Sequence, residues 1–225
     1  MSRFAKMKAQ VNEGRVLPRI DDLAIMEGRK IRAAFVYSDL HGFTKLVATQ
    51  STHKSFVFLQ SFLYIAAQLT QHYGGQVMDC AGDRVLSVFH RSPNNISREP
   101  VEDGVTFALW LQTVFRNAVA PVFAGAGLGN LSVGVGVDYG DAVVGCVGIR
   151  DGKRIVFFGD AANHAAKLQE LAGEGETVIS AAADRMRPAY LDNGRWNFQR
   201  EQLTSGEVIL RIADWFAGET PPKLR

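Results

Sequence analysis

Apolar and polar positions along the chain switch between a period near two and a period near three and a half. Residues 31–37 (IRAAFVY) form a short apolar run rich in strand formers, bounded by charge and then by Ser38-Asp39, and predict a strand. From Gly42 the spacing turns helical: Phe43, Leu46, Val47, Phe56, Leu59, Phe62, Leu63, Ala66 and Leu69 predict helix over 43–69. Gly74-Gly75 ends that helix and opens a hairpin with arms 76–80 and 85–89, joined through residues 81–84. A turn-rich loop over 92–100 leads into a second amphipathic helix over 101–118. Residues 131–138 and 142–148 are expected to form another hairpin about Tyr139-Gly140-Asp141. A strand at 154–158, a helix at 160–171, a strand at 177–180, a short helix at 181–187 and strands near 196–200 and 207–214 complete the order. Hairpins interleaved with helices predict a single α+β domain rather than a doubly wound β-α-β-α series. Residues 1–28 read as a basic N-terminal arm with a short helix near 21–27, residues 29–216 as the domain, and residues 217–225 as a C-terminal tail.

Composition narrows the function classes. The chain has 225 residues, 25 Lys+Arg against 23 Asp+Glu, and 47% hydrophobic residues, which fits a folded domain with a substantial core. A net charge of +2 offers no extended cationic surface, so no nucleic-acid partner is expected. The longest apolar run, 56–69, is interrupted by Gln60, Ser61 and Gln68 and falls short of the roughly 20 residues of a bilayer span, so no membrane span is expected. Cys80 and Cys146 make neither a disulfide framework nor a zinc motif and read as small core residues. With no secretory h-region, a cytoplasmic location is expected.

Three segments carry chemistry. In F-V-Y-S-D-L-H-G-F-T, a strand brings Asp39 to its carboxyl end. A glycine turn then starts a helix whose first N–H groups, at Gly42, Phe43 and Thr44, can bind anionic oxygens. Asp39 alone would repel a phosphate, whereas Mg²⁺ or Mn²⁺ between them makes a metal–triphosphate clamp. In G-G-Q-V-M-D-C-A-G-D, Gly82-Asp83 sits at a hairpin tip, and a hairpin beside the first strand brings Asp83 to Asp39, two carboxylates able to hold two divalent metal ions. In G-D-A-A-N-H-A-A-K-L, Asn163 and Lys167 share a helix face and suit a ribose oxygen and a phosphate. Taken singly, each has a plain structural reading: a helix cap, a turn residue and a solvated helix face.

Together, F-x-x-S-D-L-x-G-F-T, G-G-x-V-x-x-x-x-G-D-x-x-L-x-x-F and G-D-x-x-N-x-A-x-K-L resemble the class III nucleotidyl cyclases over residues 30–215. The resemblance implies a ferredoxin-like βαββαβ core with added strands, working as a head-to-tail homodimer with composite active sites. In these, Asp39 and Asp83 of one chain face Asn163 and Lys167 of the other. It also implies the Leu40 carbonyl as a third metal contact, and attack of the ribose 3′-oxygen on the α-phosphate of a nucleoside triphosphate with loss of pyrophosphate. Lys167 stands where the family has an arginine, keeping the charge but losing the planar fork. The family's late phosphate-binding lysine falls near the uncharged Thr204, for which Lys153, Arg154 or Arg200 are candidate substitutes.

Purine selection in that family rests on two positions that fall here on Asp79 and Val156. Asp79 has the wrong polarity for adenine N1, and Val156 cannot hydrogen-bond an amino group. Mispaired polar groups in a dry base site cost about 1–3 kcal/mol each. Asp79 can accept from uracil N3–H or cytosine N4–H₂, and Phe157 adds bulk. These departures are similar to the pyrimidine cyclases of bacterial Pycsar anti-phage systems, which implies second-messenger synthesis in antiviral defence. Pairing of Asp79 with a donor such as Arg84 favours UTP over CTP. An adenylate or guanylate cyclase, and a nucleotide-binding module without catalysis, are the competing expectations.

Overall fold

The computed structural model describes residues 10–13, 20–25, 27–91, 99–129, 131–148, 152–189 and 196–215. Residues 92–98 of the loop expected over 92–100, the tail at 217–225 and most of the N-terminal arm lie outside these residues.

Two long strands organise the molecule. β2 (Glu27–His41) and β5 (Ser132–Val147) run antiparallel from Gly28 opposite Gly145 to His41 opposite Ser132. β1 (Gln10–Glu13) pairs parallel to the first residues of β2, while β3 (Gln76–Ala81) and β4 (Arg84–His90) form the expected hairpin, with β4 against β2. β6 (Arg154–Phe158) and β7 (Thr177–Ser180) pair with different stretches of β5. β9 (Val208–Trp215) joins β7, and β8 (Trp196–Gln202) closes that edge. The order β3-β4-β2-β5, with helices between β2 and β3 and between β4 and β5, is the ferredoxin-like βαββαβ core, extended by β7-β9-β8.

Alternation along β2 assigns its two faces. Ala34, Val36 and Leu40 enter the larger core with Phe58 and Phe62 of α2 (Thr52–His72) and Phe107 and Leu111 of α3 (Pro100–Val114). Ala33 and Phe35 face the other side, where α5 (Asp160–Leu171) contributes Ala161, Ala162 and Ala165. That side is packed unusually close. A Cβ on Gly136 would lie 2.2 Å from the Gln169 backbone nitrogen, and one on Gly140 would lie 3.0 Å from the Ala161 Cβ.

Five expectations change. The hairpin about residues 139–141 does not exist: β5 is one continuous strand of 16 residues. Gly140 serves the close approach of α5 rather than a turn. The helix expected over 43–69 is two, α1 (Phe43–Thr49) and α2, because Gln50 is extended and Ser51 caps α2 by accepting from the Lys54 N–H. The helix expected to end at 118 continues through a wider turn at Phe115–Val119 into α4 (Ala120–Gly125). Residues 21–27 are not a helix: one 3₁₀ turn, Ile20–Asp22, precedes β2. The expected helix at 181–187 is shorter, α6 (Ala181–Arg185). Among the described residues, no helix is long and apolar enough to cross a membrane.

Candidate active site

The β2 strand extends past Tyr37 through His41, so Asp39 sits within it and not at a helix cap; the cap of α1 is Gly42, in the left-handed region at φ 87°. Tyr37, Asp39 and His41 follow Phe35 onto the α5 side of the sheet. Ser38 is opposite Val85, which places Asp39 beside the β3–β4 turn where Gly82, at φ 65°, presents Asp83. The two acids feel each other. Asp83 is pushed above the usual carboxylate range by partial burial first and then by the Asp39 charge, against its own backbone N–H, Arg84 and His41. Repulsion of this kind calls for a cation. Among the described residues no group of three or more His, Cys, Asp or Glu gathers around an ion site. Two facing carboxylates fit a hard cation of the Mg²⁺ type, which binds through one or two carboxylates and completes its shell with phosphate oxygens. Leu40 points its side chain into the core.

At the start of α1, Phe43 packs over Phe58 with ring centroids 6.3 Å apart, and Thr44 is exposed. The N–H groups of this first turn have no partner within the helix.

A second group lies one step back along β2. Burial and the Asp79 charge push the Tyr37 hydroxyl up, against Arg84, so Tyr37, Asp79 and Arg84 share one corner. Phe157 packs edge-on against Phe35, ring centroids 5.5 Å apart, and with Tyr37 and Met78 joins the cluster under α5. Val156 precedes Phe157 in β6 and so faces the opposite side of the sheet. The two residues do not line one wall, which corrects the shared base pocket expected of them. Tyr37 went unnoticed in the sequence because its tie to Asp79 crosses β4. Cys146 is buried as expected, but Cys80 is exposed on the edge strand β3. Burial and the Asp79 charge raise the Cys80 thiol.

Asn163 and Lys167 lie on the exposed face of α5, while Ala161, Ala162, Ala165, Leu168 and Gln169 fill its buried face. They are together, as the spacing predicts, and Asn163 lies well away from the level of its own chain's Asp39. Gly134, opposite Asp39, faces Ala172 at the far end of α5. Asn163 is nine residues earlier, about 14 Å along the axis at 1.5 Å per residue. Glu170, one turn beyond Lys167, reaches Arg84 beside Asp83 at 3.8 Å, so the two ends of α5 stand at different distances from the acids. His164, between the two polar residues, is half-buried and paired to Asp138 and Glu207. Arg200 is paired with Asp184 at 2.9 Å, while Arg154 is exposed.

Comparison with known proteins gives the family. Residues 27–208 match the family model of the adenylate and guanylate cyclase catalytic domain. The chain is 30% identical over 184 residues to a protein named uridylate cyclase from Burkholderia cepacia, covering 80% of this chain and 78% of that one. It is 28% identical over 205 residues to another so named from Rhodovulum sp. (strain MB263), covering 90% and 82%. The crystal structure of the adenylyl cyclase CyaB from P. aeruginosa superposes with a TM-score of 0.74 at 17% identity, covering 86% of this chain and 100% of that one. With the three motifs in order on this fold, the chain belongs to the class III nucleotidyl cyclases and is a nucleotidyl cyclase.

Proposed function

We propose that the protein converts UTP to 3′,5′-cyclic UMP and pyrophosphate, with CTP as the weaker substrate, in a head-to-tail homodimer. The observation that supports the dimer is that Asn163 and Lys167 face outward from α5, while Asp39 and Asp83 lie by the β3–β4 turn on the α5 side of the sheet. A second copy turned head to tail presents its Asn163 and Lys167 to this chain's acids and completes the site.

Class III cyclases depend on divalent metal. Two Mg²⁺ or Mn²⁺ ions, held by Asp39, Asp83 and the Leu40 carbonyl, would lower the pKa of the attacking hydroxyl and neutralise the leaving phosphates. The chain's own groups do the rest by position. The N–H groups of Gly42, Phe43 and Thr44 bind phosphate oxygens, and Asn163 orients the ribose. Lys167 stabilises charge on the α-phosphate as the 3′-oxygen forms its bond to phosphorus and the bond to pyrophosphate breaks.

The base assignment is supported by an acceptor, Asp79, in the place where purine cyclases present lysine or glutamate. It shares its corner with Tyr37 and Arg84. Phe157 contributes bulk on the same side of the sheet. The two relatives named uridylate cyclase point the same way. A cyclic pyrimidine nucleotide made by such an enzyme serves as a second messenger, in keeping with the antiviral role that the resemblance implies.

The test is to supply UTP, CTP, ATP and GTP together to purified protein with Mn²⁺ and resolve the cyclic products by mass. Cyclic UMP as the main product supports the assignment, and a strict preference for ATP or GTP defeats the base argument. No cyclic product from any of the four, with nucleotide-dependent thermal stabilisation retained, points to a binding module.

A further inference from the structure

The first two turns of α5 bury only alanines, over a floor of Gly136 and Gly140. Such packing brings the helix backbone close to β5 without long side chains to fix its start by interdigitation. At the far end of the helix Glu170 reaches Arg84 at 3.8 Å and the Leu171 carbonyl accepts from Arg211 at 2.8 Å; at the start the directional contacts come from His164. Its Nδ1 lies 2.9 Å from Asp138 Oδ2 on β5, and its Nε2 lies 2.8 Å from Glu207 Oε1, just ahead of β9. Asp138 is buried and fixed from its other oxygen, which accepts from the Tyr139 N–H at 2.7 Å and from the Ser180 hydroxyl. Glu207 anchors the β8–β9 turn, its carbonyl accepting from the Leu203 N–H at 2.8 Å. A neutral imidazole has one N–H and can serve one of these carboxylates, whereas an imidazolium serves both.

We propose that His164, held as an imidazolium between Asp138 and Glu207, is a positioning residue that locks the Asn163–Lys167 face of α5 to the sheet and the β8–β9 turn and sets the alkaline limit of turnover. The proposal rests on the roles assigned above to Asn163 and Lys167. The charged groups facing the ring are Asp138 from β5, Glu207 from the β8–β9 turn and Lys167 from α5 itself. The Asp138 hydrogen bond is the main influence; together with the two carboxylate charges it outweighs burial and Lys167, and the ring is held above its ordinary pKa. The sign follows. Below the folded pKa both carboxylates are bound; as pH rises through it one bond is lost and the start of α5 loosens.

The test pairs NMR titration of the His164 ring in the full chain with pH profiles of kcat and KM. The ring should titrate above the ordinary value of about 6.5, and Glu207→Gln should lower that pKa and move the alkaline limb of kcat to lower pH. His164→Gln should lose the limb and lower kcat by about ten- to a hundredfold with KM within about threefold. A ring that titrates at or below the ordinary value overturns the proposal, as does a pKa indifferent to Glu207→Gln or a wild-type limb kept in His164→Gln. If His164→Gln fails to fold, Glu207→Gln, which leaves the Asp138 pair in place, decides by the same two readouts. If no nucleotide is cyclised by wild type, the proposed function fails, while a low or Glu207-independent pKa would still refute the imidazolium clamp itself.

Discussion

Gly136→Ala is the sharpest perturbation of the fold that carries the site. Its Cβ would lie 2.2 Å from the Gln169 nitrogen, 2.3 Å from the Ala165 carbonyl oxygen and 2.8 Å from the Gln169 Cα, where ordinary contact begins at 3.4 Å. All three atoms are helix backbone, so no side chain can rotate away. Helix α5 must withdraw from β5 by roughly 1 Å, an overpacking that costs about 1–3 kcal/mol. For a chain of this length each kcal/mol moves Tm by about 2–4 °C, which predicts a fall of about 2–12 °C. The same movement carries Asn163 and Lys167 out of register, and a misplacement of about 1 Å can lower turnover by about a hundredfold. Thermal denaturation followed by circular dichroism, with steady-state kcat on UTP, measures both. Gly125→Ala is the control: nothing lies within 4 Å of its added Cβ, and Tm and kcat should stay at wild-type values. A Gly136→Ala protein with wild-type Tm and kcat would refute the close approach of α5 and the reasoning built on it.

Other perturbations address the chemistry. The folded pKa of Asp83 is raised, so the folded chain holds that proton more tightly than the unfolded chain, and stability declines as pH rises from the ordinary carboxylate value through the folded one. Asp83→Asn should therefore raise Tm of the metal-free protein at neutral pH, remove its stabilisation by Mn²⁺ and abolish cyclisation; a metal-free Tm below wild type would contradict the repulsion. Lys167→Ala should lower kcat by about 10²–10³-fold, as loss of a group aimed at developing charge does, while Lys167→Arg keeps turnover; equal loss in both would remove the cation from the mechanism. Asp79→Lys should cut the UTP-to-ATP ratio of kcat/KM by about tenfold or more, read by competition in one reaction, and an unchanged ratio would detach Asp79 from base selection.

The Gly82-Asp83 hairpin and the face shared by Asn163 and Lys167 were legible in the sequence, because both depend on turn chemistry or spacing within a few residues. Elements shaped by distant partners were not. Asp141 and Gly140 read as a turn, yet β2 holds that segment extended along its whole length, and the missing side chain makes room for Ala161. Glu27 and Gly28 read as the end of the N-terminal arm, yet β1 pairs with residues 27–30 and draws them into β2. The break before α2 carried a local signal in Ser51-Thr52, a helix-start pair that the continuing apolar spacing masked. The tie of Tyr37 to Asp79 and the bridge from His164 to Asp138 and Glu207 join strands, helix and turn far apart along the chain, where neither period nor motif can point. The opposite facing of Val156 and Phe157 follows from strand alternation once β6 is recognised.

The division of labour between two copies is tested most directly by mixing inactive variants. Asp39→Ala and Asn163→Ala proteins, each unable to cyclise UTP alone, should on co-refolding form mixed dimers in which one site carries both lesions and the other neither. With random pairing, about a quarter of the wild-type rate of cyclic UMP formation should return. No recovery, when mixed dimers are verified by tag capture, would contradict a site assembled from Asp39 and Asp83 of one chain and Asn163 and Lys167 of the other.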